Sequence, residues 1–198
     1  MAEVATILLA AGLSRRMGAR NKLLLPIGDV PMIAHMVRTY LTATCGPLLL
    51  VTGHDADRVA AAVAGLGVRI VHNPDYASGQ ASSVACGLDA LGLCDAVLIG
   101  LGDQPHLTGD NLSALMAAHQ ASGGRRVSIP THNGQRGNPI LVPRAIVPEM
   151  LADPHAPGCQ RFTRTHANRI EMHDLPAPGF FRDIDTPADY APFAEHAL

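Results

Sequence analysis

The sequence predicts an α/β fold of three layers with a mostly parallel central sheet, and three observations carry that reading. Over the first 120 residues, short apolar runs alternate with amphipathic segments of helical period. That alternation puts helices on both faces of a parallel sheet. The first run, "VATILLA" at 4–10, lacks the in–out alternation of a half-exposed strand, so it reads as buried on both faces. The last third is richer in Pro and Gly, yet it holds further strand-like runs and no linker, so it extends the same sheet.

The elements follow in order. "DVPMIAHMVRTYLTATCG" (29–46) reads as a helix with Asp29 as cap and Pro31 in the first turn. Ile33, Met36, Val37, Tyr40 and Leu41 make its apolar stripe, and Gly46 ends it in the left-handed conformation. A strand at 47–53 precedes an alanine-rich helix at 55–65, which carries Val59, Ala62 and Val63 on one side. A third strand spans 68–73, a helix runs from Gln80 to Leu91, and "DAVLIGL" (95–101) is the fourth strand. Thr108 caps a helix reaching Ala121, with Leu112, Leu115, Met116 and His119 on one stripe. Beyond it, "RRVSIP", "NPILVP" and "HANRIEMHDL" read as strands, with helices at 143–151, at 159–166 and from Pro187 onward.

Composition narrows the function. At 198 residues, 47% hydrophobic and 16% charged, the chain fits one globular domain with a real core. A net charge of −2 gives no reason to expect a nucleic-acid or membrane-surface partner. Cys45, Cys86, Cys94 and Cys159 match no zinc spacing, and no H-E-x-x-H is present, which argues against a transition-metal site. The run from Val4 to Leu13 is too short to span a bilayer and no basic segment precedes it, so a cytoplasmic protein is expected.

In a parallel sheet ligands sit outside the carboxyl ends of the strands, which singles out the loops at 10–22, 73–79 and 102–107. In the first, Ala10, Ala11 and Gly12 let a ligand approach the backbone, Ser14 offers a hydroxyl, and Arg16 and Lys22 bring positive charge. That set suits a polyphosphate, although glycines turning an exposed basic loop would look the same. Arg15 and Arg20 read as solvent-facing. Neither the Walker A spacing nor G-x-G-x-x-G is present. Asp103, in "GDQP" at a strand end, suits Mg²⁺ or an Asx-turn before the Thr108 helix. In "FRDIDTPADY", Asp185 or Thr186 suits a helix cap, which leaves Asp183 for a metal. Gly79, Ser82 and Ser83 suit either a turn and cap or the edge of a base.

Together "LLAAGLSRRMG", "KLLLPIGDVPMI", "NPDYASGQASSVACGL", "LGDQPHLT", "RGNPILV" and "DIDTPADY" resemble the MobA-like nucleotidyltransferases, and within them the molybdenum cofactor cytidylyltransferases. The resemblance implies a Rossmann-like nucleotidyltransferase fold forming a single domain over 1–198. Residues 1–120 would bind nucleotide, and 121–198 would supply the acceptor-binding part and a metal-binding segment. It implies transfer of CMP from CTP to a phosphorylated acceptor, molybdopterin or molybdenum cofactor, with Mg²⁺ as cofactor and a molybdoenzyme or its insertion chaperone as partner. By position, Leu9, Ala10, Ala11, Gly12, Ser14, Arg16 and Lys22 would hold the nucleotide, and Gly79, Ser82 and Ser83 would lie beside it. Arg16, Lys22 and Asp103 would be catalytic. Asp103 and Asp183 would hold the metal, with Asp185 a further candidate, and Gly137, Asn138 and Pro139 would border the acceptor. "LAAG" in place of "LAGG" resembles the cytidylyl rather than the guanylyl branch. The rivals are guanylyl transfer, another phosphorylated acceptor, a non-catalytic cofactor-binding accessory protein, and an NAD-dependent oxidoreductase sharing the layer pattern.

Overall fold

A computed structural model describes residues 3–18, 20–152 and 159–194. The strands are β1 (Val4–Ala10), β2 (Pro26–Ile27), β3 (Val30–Pro31), β4 (Leu48–Thr52), β5 (Arg69–His72), β6 (Ala96–Leu101), β7 (Val127–His132), β8 (Gln135–Arg136), β9 (Ile140–Pro143) and β10 (Ile170–Asp174). The helices are α1 (Met32–Ala43), α2 (Ala56–Ala62), α3 (Gln80–Asp89), α4 (Gly109–Ala121), α5 (Val147–Leu151), α6 (Cys159–Thr165) and α7 (Pro187–Ala194).

Among the described residues the main sheet has eight strands in the order β10-β7-β9-β6-β1-β4-β5, with β8 paired to β7. The first-half strands β5, β4, β1 and β6 are all parallel neighbours. Strand β9 runs antiparallel to both β6 and β7, while β10 returns parallel to β7. The last third does extend the sheet, as its strand-like runs predict.

Alternation along β1 shows how the layers form. Ile7 and Leu9 face a core completed by Val84 and Leu88 of α3, Met150 of α5 and Phe162 of α6. Leu8 and Ala10 face the opposite core, with Ile33, Met36 and Tyr40 of α1, Val59 of α2, and Leu112 and Leu115 of α4. Each fully buried Leu or Ile contributes about 1.5–3 kcal/mol, so continuous apolar strands are what a two-sided sheet demands. Thr108 caps α4 as expected: its Oγ1 accepts a 3.3 Å hydrogen bond from the Asn111 backbone N–H.

Two expectations need correcting. Asp29 caps no helix; it lies in the turn between β2 and β3, and α1 begins only at Met32, directly after Pro31. The short hairpin takes up the polar residues that would otherwise start the helix. Gly46 does not end α1 in the left-handed region, since its φ is not positive and Thr44 is the closing residue. Gly46 is needed for close approach instead: a methyl group there would run into the Val4 carbonyl oxygen at the start of β1. We therefore expect Gly46→Ala to lower stability by ~1–3 kcal/mol, the usual range for overpacking against an unyielding neighbour. Chemical denaturation checks this, and an unchanged midpoint would count against the close approach.

Candidate active site

The loop after β1 is held by its own side chains. Ser14 adopts a left-handed conformation (φ 49°), and its hydroxyl accepts the Lys22 backbone N–H at 3.2 Å. Asn21, almost fully buried, accepts the Leu23 N–H at 3.1 Å and so caps the tight turn over Lys22–Leu24. Met17 inserts into a small core with Leu25, Met32, Ile184 and Tyr190. That plug binds the basic loop to the carboxyl-terminal segment. The Tyr190 hydroxyl reinforces it by donating to the Pro26 carbonyl at 2.8 Å.

These anchors aim Lys22 inward, with its side chain 11% exposed. Its Nζ lies 2.5 Å from Asp103 Oδ2 and 2.8 Å from Asp185 Oδ1. Burial opposes the ammonium charge, but the facing carboxylates of Asp103 and Asp185 outweigh it, so the Lys22 pKa rises above its ordinary value. Lys22 is therefore a fixed cation at neutral pH. Arg16, largely exposed, reaches Asp185 Oδ2 at 2.8 Å.

Asp103 sits just past β6, and its backbone carbonyl accepts the Ile184 N–H at 2.8 Å. That bond helps bring the two acid-bearing segments together across 81 positions of sequence, since 184 minus 103 is 81. Asp103 Oδ1 is buried with no hydrogen-bond partner. Gln104, with no exposed surface, donates from Nε2 to Asp183 Oδ1 at 2.8 Å and to the Phe180 carbonyl at 3.3 Å. Burial, then the negative charge of Asp103, pushes the Asp183 carboxyl above the usual range. At the start of α7, Thr186 is the cap: its Oγ1 accepts the Asp189 N–H at 3.3 Å, while Asp189 accepts the Thr186 N–H at 2.7 Å. Asp185 is thereby left to the site rather than to the helix.

The cleft formed has a volume of about 580 Å³ and opens at the carboxyl edge of the sheet. It is lined by Leu9, Ala11, Gly12, Ser14, Arg16 and Lys22 from the first loop, Gly79 and Ser83 from the start of α3, and Asp103, Asp183 and Asp185. Gly79 has a φ of 121°, a conformation natural to glycine, which turns the chain into α3 without a side chain at the cleft wall. Ala10 is buried in the core on the α1 face. Ser82 points into its own turn, accepting from Asn73 at 2.9 Å and donating to Gly79 O at 2.8 Å. Arg20 is exposed and away from the cleft, as expected, but Arg15, also exposed, lines it.

A second cleft of about 410 Å³ adjoins the first and shares Gln80, Leu101 and Asp183 with it. Gly137 and Asn138 line it, whereas Pro139, joined to Asn138 by a cis peptide bond, does not. Sequence reasoning passed over Gln104, Asn21 and Met17. Gln104 stands beside Asp103 in the quoted "GDQP", but its function depends on a partner 79 positions away, which no local pattern reveals.

Among the described residues, no three His, Cys, Asp or Glu side chains stand together as a ready metal site. The Lys22 ammonium bonds Asp103 and Asp185 both, so the acids are bridged by a cation of the protein's own. No helix among the described residues is long and apolar enough to cross a membrane.

A mostly parallel sheet with its cleft at the carboxyl edge is common to several nucleotide-binding classes, the α/β nucleotidyltransferases among them. The chain belongs to the MobA-like NTP transferase family, whose domain model matches residues 6–170. It is similar to a nicotine blue oxidoreductase of Paenarthrobacter nicotinovorans, at 27% identity over 92% of each chain. It is also similar to the molybdenum cofactor cytidylyltransferase of Escherichia coli, at 29% identity over 96% of this chain and 95% of the relative. Among solved structures, a nucleotidyl transferase from Methanothermobacter thermautotrophicus superposes with a TM-score of 0.81 at 25% identity, covering 98% of this chain and 97% of that one.

Proposed function

We propose that the chain transfers CMP from CTP to a phosphorylated acceptor of the molybdenum cofactor type, releasing pyrophosphate. The observation that carries this reading is one cleft in which the cations Arg16 and Lys22 face the carboxylates Asp103, Asp183 and Asp185. Family membership and the likeness to a cytidylyltransferase support it.

In this reading an acceptor phosphate oxygen attacks the α-phosphorus of CTP in line. A new P–O bond forms, the bond from the α-phosphorus to the bridging oxygen breaks, and the electron pair leaves with pyrophosphate. The attacking group is already anionic, so no general base is needed. The obstacle is repulsion between two anions, and positioning and fixed charge remove it. Arg16 and Lys22 neutralise the leaving pyrophosphate. No side chain caps the start of α3, which stands where the two clefts meet at Gln80, and a helix start there favours an anionic group.

The residues suit a magnesium ion. Asp103 keeps a buried carboxylate oxygen without a partner, and Asp183 adds a second carboxylate whose pKa is raised by burial and by Asp103 itself. A hard divalent cation takes oxygen donors of this kind. Bound there, it supplies further charge neutralisation for the triphosphate. Lys22 leaves Asp103 to take up phosphate oxygens, and Gln104 holds Asp183 in place.

A thermal-shift panel tests the reading. CTP with Mg²⁺ is expected to raise the melting temperature, because binding to the folded state alone stabilises it, and ATP, UTP and GTP should do less. A GTP response larger than that of CTP would move the assignment to guanylyl transfer. The likeness to nicotine blue oxidoreductase favours a second reading, an oxidoreduction on the same scaffold. The panel therefore carries NADH and NADPH. Stabilisation by these and by no nucleoside triphosphate would establish that second reading.

A further inference from the structure

Arg136 and Arg164 have no part in the chemistry above. Arg136 ends β8, and its Nη2 donates to the Thr163 carbonyl at 3.2 Å, which holds the guanidinium against α6, the helix that also carries Arg164. The segment carrying it is clamped from behind. Gly137 N–H donates to the Pro130 carbonyl at 2.8 Å, and Asn138 N–H donates to the Phe180 carbonyl at 2.9 Å. A methyl group on Gly137 would stand 2.6 Å from Phe180 O, so the strand and the 178–181 segment are in direct backbone contact. The Arg136 guanidinium is therefore placed rather than free to wander.

Both arginines line the second cleft, as does Arg161, and Arg136 and Arg164 also line an open groove beyond it that shares no residue with the first cleft. They stand at the outer end. At the inner end is Asp183, the only carboxylate among the described residues that line the second cleft. Among the described residues neither Arg136 nor Arg164 takes part in an ion pair, whereas Arg58, Arg126 and Arg169 each do. Val84, Ile99, Ile129 and Ile140 give the cleft an apolar strip, beside the polar Gln80, Asn138 and Gln160. The cleft thus has a nucleotide-facing end, an apolar strip and a cationic far end.

We infer that the acceptor carries a second anionic group, held by Arg136 and Arg164 across this cleft from the phosphate that attacks CTP. The inference rests on the nucleotidyl-transfer reading for the identity of the first phosphate. A guanidinium fork grips phosphate or carboxylate through paired charge-assisted hydrogen bonds, and two of them at one lip select an anion over a neutral group. An acceptor with a single phosphate would leave both charges without a counterpart among the described residues. An acceptor polar throughout would waste the apolar strip.

Calorimetric titration of the full chain tests this, using linear alkane-diol bisphosphates of increasing length against the matching monoalkyl phosphates. At one length the bisphosphate is expected to bind the wild-type protein ~10-fold more tightly than the monophosphate, the size of one charge-assisted contact. The doubly substituted Arg136→Gln/Arg164→Gln protein is expected to lose that advantage. Arg164→Gln alone, which keeps the Arg136–Thr163 bond, is expected to lose most of it, and it guards against a double variant that folds poorly. Equal affinities at every length, no measurable bisphosphate binding, or an advantage that survives in the double variant would overturn the inference. The CTP–Mg²⁺ thermal shift of the same samples reads the nucleotide site separately. A retained shift without a bisphosphate advantage removes the anion subsite alone. An advantage without a shift keeps the subsite and removes the nucleotide reading.

Discussion

Replacing Lys22 by Ala is expected to lower kcat for pyrophosphate release from CTP by ~10²-fold or more, the scale of losing one preorganised electrostatic contact. Lys22 is 11% exposed and bonds two carboxylates, so its charge acts in a partly desolvated place where water screens it little. Steady-state kinetics with a phosphorylated acceptor measure the effect. Arg20→Ala is the control: Arg20 is exposed and does not line the cleft, so its kcat should stay within about twofold, since a charge screened by water away from the site contributes little. Near-normal turnover in Lys22→Ala, with folding intact, would falsify the assignment of this lysine to the triphosphate.

Asp103→Ala should be as severe in kcat, again ~10²-fold or more, but for a different reason. Asp103 holds the buried oxygen without a partner and faces Lys22 with its other oxygen. Its loss removes an oxygen donor for magnesium while Lys22 remains paired with Asp185. A second readout separates the two variants. Magnesium should add to CTP-induced thermal stabilisation in the wild-type protein and in Lys22→Ala, and should add little in Asp103→Ala. Magnesium enhancement equal to wild type in Asp103→Ala would take the metal away from this residue.

Several parts of this picture were open to reading from residues alone, and the reasons differ. Strand β1 was legible because continuous apolar sequence has one economical explanation, burial on both faces. The α4 cap was legible because Thr108 and Asn111 are three positions apart, and capping is local chemistry. Asp103 was legible as a candidate because it stands just past a strand end, Lys22 because a cation in a small-residue loop suits phosphate, and Asp183 because its neighbours suit the helix cap. What could not be read was who partners whom. The Lys22–Asp185 bond joins residues 163 positions apart, and Gln104–Asp183 joins residues 79 apart. Gly46 misled for a related reason. A glycine after a helix suits both a left-handed end and a close contact, and only the position of Val4 decides between them. Ser14 shows the same limit, because its hydroxyl is taken by the Lys22 backbone and serves the shape of the loop.

The knot formed by Arg16, Lys22, Asp103 and Asp185 has a kinetic corollary. Two positive and two negative groups cancel, so an approaching polyanion feels no long-range pull from this quartet. Encounter would then proceed at the ordinary diffusive pace, nearly indifferent to ionic strength, and discrimination among nucleotides would begin only once the quartet has been prised apart at short range.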